Sequence, residues 1–208
     1  MKRSPQQNYR ATFVHSAKPY AAAGFTFVEL VAVIVLISIL AAIAAPRFFD
    51  LKDDAEAAAL QALAGSFSAG VAIGKAQWIA NGNSANSVTA VDQRVIIDGV
   101  GFNVNRFGWL DSTTLKESQD LTVTGQTARD CQEVFEYILQ NPPRNTIAED
   151  FESRRKAKYA VRVVEGSTSD RCRYELVVRA AQSPENAEFY FDYEMTTGRV
   201  TVNLPEGL

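Results

Sequence analysis

Between Phe25 and Ala45 the chain runs 21 residues with one ionisable side chain, Glu29. A helix of that length spans about 32 Å at 1.5 Å per residue, enough to cross a hydrocarbon core. A carboxylate inside it costs about 2.5 to 3.5 kcal/mol on insertion scales unless it meets a partner, so Glu29 is a functional candidate by default. Other chemistry is sparse. Cys131 and Cys172 lie in neither a Cys-x-x-Cys pair nor a Cys/His cluster, which argues against zinc and redox motifs. If the domain is exported they are expected to form a disulfide closing about 41 residues, contributing roughly 3 to 4 kcal/mol; two buried free thiols are the alternative. The single histidine, His15, precedes the apolar run, which leaves no histidine catalysis or metal site beyond it. Gly99-Val100-Gly101 lacks the third glycine of a dinucleotide loop. Asp111, Glu117 and Asp120 are read as a solvated acidic surface rather than a calcium site. No enzyme activity, metal or cofactor is expected.

The basic cluster Arg154-Arg155-Lys156-Ala157-Lys158 has Glu149, Asp150 and Glu152 beside it. It reads as an exposed face or an intersubunit salt-bridge surface rather than a nucleic-acid contact. Net charge agrees. Residues 1 to 24 hold four cations, Lys2, Arg3, Arg10 and Lys18, and no acid; without them 17 cations face 24 acids, a charge of -7. So acidic a body argues against generic binding to nucleic acid or anionic lipid. Positive charge ahead of the apolar run predicts a cytoplasmic amino terminus and an exported remainder. An ordinary signal peptide, cut near Ala42-Ile43-Ala44, or an uncut anchor would fit the hydrophobicity, but both leave Glu29 unexplained.

Gly24-Phe25-Thr26-Phe27-Val28-Glu29, continuing through Leu30 to Leu40, resembles the class III signal of type IV pilins and pseudopilins. The resemblance implies cleavage between Gly24 and Phe25 by a prepilin peptidase, N-methylation of Phe25, and pairing of Glu29 with the amino terminus of a neighbouring pilin subunit. The physical reading agrees, because a residue without a side chain leaves the scissile backbone open and the cut keeps the apolar helix on the product. Within its own segment, Glu29 is expected to have no partner apart from the new amine at Phe25. Pairing between subunits would neutralise two charges that are each expensive in lipid or in a packed filament. Tyr20 to Ala23 stand where basic residues are common in that family. Ala45-Pro46-Arg47-Phe48, Gly99-Val100-Gly101-Phe102 and Gly108-Trp109-Leu110 resemble the mannose-sensitive haemagglutinin pilins.

The expected organisation is a leader at 1–24 that is removed, a transmembrane and assembly half-helix at 25–45, an amphipathic half at 46–80 and a globular head at 81–208. Pro46 removes a helical hydrogen bond, so a kink or local melt is expected there, or simply the end of the membrane helix. Leu60, Leu63, Phe67, Val71, Gly74 and Trp78 recur at three and four and predict a stripe packed on a sheet. Gly65, Gly70 and Gly74 would permit close backbone approach, and Asn81-Gly82 would stop the helix. Residues 83 to 114 read as a long connection with one or two short strands at Val95 to Ile97 and Gly99 to Val104. Thr127-Ala128-Arg129-Asp130 resembles a capping box that opens a helix ended by Pro142. Four alternating runs, Tyr159/Val161/Val163, Tyr174/Leu176/Val178, Phe189/Phe191/Tyr193 and Val200/Val202/Leu204, predict an antiparallel sheet. Cys172 shares the apolar face of its strand, where the helix bearing Cys131 could meet it.

The whole is therefore α+β, a long amino-terminal helix packed on a carboxy-terminal antiparallel sheet, and resembles the pilin fold. By that resemblance the function is a structural subunit of a type IV pilus of the mannose-sensitive haemagglutinin type, a minor pilin involved in assembly and surface adhesion. Its implied partners are other pilin subunits, the prepilin peptidase and methyltransferase, and the inner membrane before assembly, with a periplasmic head that later reaches the cell-surface pilus. The alternatives are a pseudopilin of a type II secretion system and, from a different class, an exported soluble binding protein.

Overall fold

The computed structural model describes residues 24–84, 94–113, 123–147, 151–177 and 187–205, without the side chains of 45–50 and 151. The leader up to residue 23, Glu117, Asp120, Glu149, Asp150 and Val178 lie outside the described residues. Two compact units divide the chain, Met1–Arg47 and Phe48–Leu208.

In the first unit the described residues begin at Gly24 and enter helix α1, which spans Phe27–Ala80. Helical backbone continues through Pro46, so the proline does not end the helix. Over Phe27–Ala44 the mean hydropathy is 2.9 and no residue is buried.

In the second unit, α1 from residue 48 turns the expected stripe inward. Leu60, Phe67, Val71 and Trp78 are buried and Leu63 is partly so. A paired backbone motif closes the helix: Gly82, at φ +85°, donates to Ile79 O at 2.9 Å and Asn83 donates to Trp78 O at 3.4 Å. Both bonds satisfy carbonyls that the last turn would otherwise orphan, and the positive φ is the reason for glycine.

A three-stranded antiparallel sheet follows: β1 (Arg94–Ile97), β2 (Val100–Val104) and β3 (Leu110–Thr113). Asp98 and Gly99, both at positive φ, make the two-residue turn between β1 and β2. Helix α2 (Ala128–Ile138) opens on the expected box, Thr127 accepting from Asp130 N while the Asp130 carboxylate accepts from Thr127 N. It stops at Ile138, four residues before Pro142, which therefore does not end it.

The second sheet has the order β4-β5-β6-β7-β8: β4 (Asn145–Ile147), β5 (Tyr159–Val164), β6 (Arg171–Leu176), β7 (Tyr190–Glu194) and β8 (Val200–Asn203). The last four pair antiparallel as expected, while β4 joins β5 in parallel, making the sheet mixed. Helix α3 (Phe151–Lys156) connects β4 to β5. Phe67 is central to the core, its ring centroid 5.2 to 5.5 Å from those of Tyr174, Phe191 and Tyr193. The buried tyrosine hydroxyls are satisfied: Tyr174 donates to Cys131 O at 2.9 Å and Tyr193 to Leu110 O at 2.8 Å. The architecture is α+β.

Candidate functional site

The segment from Gly24 to Glu29 is the first candidate. Thr26 is the residue before α1, and its side chain and that of Glu29 exchange hydrogen bonds. Glu29 N donates to Thr26 Oγ1 at 3.2 Å, and Glu29 Oε2 accepts from Thr26 N at 3.2 Å and from Thr26 Oγ1 at 3.0 Å. This is a capping box, with two orphan donors of the helix start satisfied reciprocally and an acid placed at the positive end of the dipole. The expectation that Glu29 has no local partner besides the amine at Phe25 is thus corrected. A carboxylate with spare lone pairs can hold the cap and still accept from a cation. The signal was present in the sequence as Thr-x-x-Glu ahead of an apolar run, and Thr26 is the residue that sequence reasoning missed.

Around this box the surface is bare. Phe25 and Phe27 are about four-fifths exposed, at 80% and 79%, and the aliphatics from Val28 to Ile43 are open along the helix. A Cβ built on Gly24 meets nothing within 4 Å. An apolar helix uncovered on every side needs lipid or other protein around it.

The second feature is the disulfide. Cys131 of α2 and Cys172 of β6 are bonded, with a Cα separation of 5.4 Å and a sequence separation of 41. Both are fully buried, and the bond between them replaces the free-thiol alternative and ties helix to sheet.

Two expectations about charged residues change. Arg154 is not on an exposed basic face: it is 4% exposed and donates through Nη1 and Nη2 to Glu175 Oε2, both at 3.1 Å. Glu175, wholly buried, also accepts from Arg162 Nε. Alternation places Glu175 opposite the core face of β6, and α3 delivers Arg154 to it. Asp111 is 3% exposed, accepting from Ser112 Oγ at 3.2 Å, rather than part of a solvated surface. Among the described residues no three His, Cys, Asp or Glu side chains gather as a metal group would.

Glycine explains how closely α1 is packed in the head. A Cβ at Gly70 would lie 2.6 Å from Ile138 Cγ1, and one at Gly74 2.9 Å from Leu110 Cδ2. At Gly65 a Cβ meets nothing within 4 Å, so only two of the three expected glycines serve close approach. Lys75 reaches from α1 to Phe107 O with its ammonium 4.4 Å from the Trp78 ring and 5.1 Å from the Trp109 ring. Burial lowers its pKa.

Compared with known proteins, the chain is 50% identical over 56 residues to the type IV narrow pilus major component PilA5 of Thermus thermophilus. Those residues are 27% of this chain, and the chain spans about half the length of that curated relative, 48%. No family model matches the sequence. No solved structure matches it.

Proposed function

We propose that this chain is a structural subunit of a type IV pilus, held in the membrane by the apolar helix before assembly and packed by it afterwards. One observation carries the reading. An 18-residue helical stretch of mean hydropathy 2.9 is unburied throughout its length and opens on a carboxylate held in a Thr26–Glu29 box. Local identity to a pilus component supports the same assignment. In this reading prepilin peptidase cuts between Gly24 and Phe25, the new amine is methylated, and Glu29 receives the amine of an adjoining subunit. Pro46 is the place where the helix bends or stretches during assembly. The four-part division at 24, 45 and 80 belongs to the same proposal. So do the finer assignments to a minor pilin of the mannose-sensitive haemagglutinin type, with a role in adhesion, an inner-membrane precursor and a periplasmic head.

Mass spectrometry of the mature amino-terminal peptide tests it. N-methylated phenylalanine at Phe25 is the expected result. A peptide beginning after Ala44, or one retaining Gly24, would sink the assignment.

A further inference from the structure

The described residues of the head leave a groove open. Its volume is about 410 Å³, and it lies between α1, the carboxy-terminal end of α2 and the β1–β2 turn. Leu63, Ile73 and Ile138 supply apolar wall, and Ile73 is 60% exposed. One acid stands at its mouth among neutral polar groups. Asp98 is exposed on the β1–β2 turn, the neutral amides of Gln140 and Asn141 follow α2, and no lysine or arginine among the described residues lines the space. The last turn of α2 holds no basic residue, so its carbonyl end adds uncompensated negative potential. Gly70 makes the geometry available, since without a Cβ it lets Ile138 close on α1 beside the groove.

Apolar walls under an electronegative mouth suit a lysine or arginine side chain, whose methylene stem packs below while its cation stays at the rim. Elsewhere on the head two arginines stand exposed on turns, Arg106 with its guanidinium 4.8 Å from the Phe107 ring centroid. Arg106 sits on a turn held by Asn105, whose Oδ1 accepts from Phe107 N at 3.0 Å and Trp109 N at 3.1 Å and whose Nδ2 donates to Met195 O at 2.8 Å. Arg199 follows Gly198, where a Cβ would lie 2.4 Å from the Trp109 ring, so the β7–β8 turn is fastened to the same place. Both arginines are exposed and form no ion pair among the described residues. A rigid, unneutralised basic tip loses little entropy on docking.

We propose that the α1–α2 groove of one copy receives the Arg106/Arg199 tip of a second copy, a head-to-head contact that rests on the pilus reading and is separate from the pairing of Glu29. Groove and tip are different surfaces of the same head, so the contact, repeated in one direction from copy to copy, would build along a filament.

The test uses the full chain in cells that assemble it. A photo-crosslinking phenylalanine analogue at Ile73 should, in sheared filaments, join to a peptide containing Arg106 or Arg199 of another copy. Asp98→Lys should lower filament recovery about tenfold, since like charges then meet across the interface, and Arg106→Glu with Arg199→Glu should restore it. Disulfide formation, read on a non-reducing gel, checks that each variant folds. Crosslinks from Ile73 only to other peptides or other proteins, none at all, or undiminished recovery of Asp98→Lys would overturn the contact while leaving the pilus reading intact. Absence of the unsubstituted chain from filaments would overturn both.

Discussion

Replacing Glu29 by glutamine separates the two roles that its carboxylate can play. Glutamine at the third helical position can still close the box with Thr26, whose N and Oγ1 lie 3.2 and 3.0 Å from Glu29 Oε2. What is lost is the charge. If an incoming ammonium depends on it, leaving that cation unpaired in a low-dielectric filament core costs about 3 to 5 kcal/mol, roughly two to four orders of magnitude in subunit addition. Membrane insertion should not suffer, because the side chain no longer carries a charge into lipid. Thr26→Ala makes the converse change, keeping the charge and removing the cap at about 1 kcal/mol, which predicts a loss of only severalfold. The assay is fractionation of cells, with immunoblots for precursor shortening and for protein in sheared filaments. Glu29→Gln should be shortened and membrane-bound but nearly absent from filaments, and Thr26→Ala mostly present. Normal incorporation of Glu29→Gln, or an equal loss in both variants, would refute the pairing role.

Gly24→Val should leave only the long precursor, and because a Cβ there meets nothing within 4 Å the block would reflect the peptidase rather than the fold. Normal shortening on an immunoblot would move the cut elsewhere. Cys131→Ser should destabilise the head by about 4 kcal/mol, the chain-entropy value for a loop of 41 residues, measured as a lower midpoint in denaturant. High pH should also unfold the head. Burial chiefly, with a contribution from Glu56, raises the Tyr159 hydroxyl to about 12, and burial carries Tyr174 and Tyr193 well above 10. Each folded value exceeds the unfolded one, so stability is fully present below pH 10 and falls as pH rises from there through 12. Denaturation followed by tyrosinate absorbance should show the loss, with a shallower slope in Tyr159→Phe; an unchanged slope would exclude that residue.

What the sequence determined by itself is whatever depends on neighbours along the chain. The apolar run from Phe25 to Ala45 with Glu29 alone in it is legible by its length, the Thr127–Asp130 box by its spacing, and the buried stripe of α1 and the alternation of β5 to β8 by periods of 3.6 and 2 that local geometry sets. The cysteine pair was legible because its alternatives were few. The Thr26–Glu29 box was legible too, in a four-residue spacing read first for its acid and not for its threonine. Tertiary structure alone decided the rest. Leu110–Thr113 does not alternate, since α2 and β2 bury all four residues and leave no solvent face to register the strand. Asn145–Ile147 is three half-buried residues that become a strand only by lying parallel to β5. Arg154 looked like surface because its neighbours are charged, yet Glu175, 21 positions away, draws it inside; a buried carboxylate must be paired, and no local pattern reveals which distant cation will reach it.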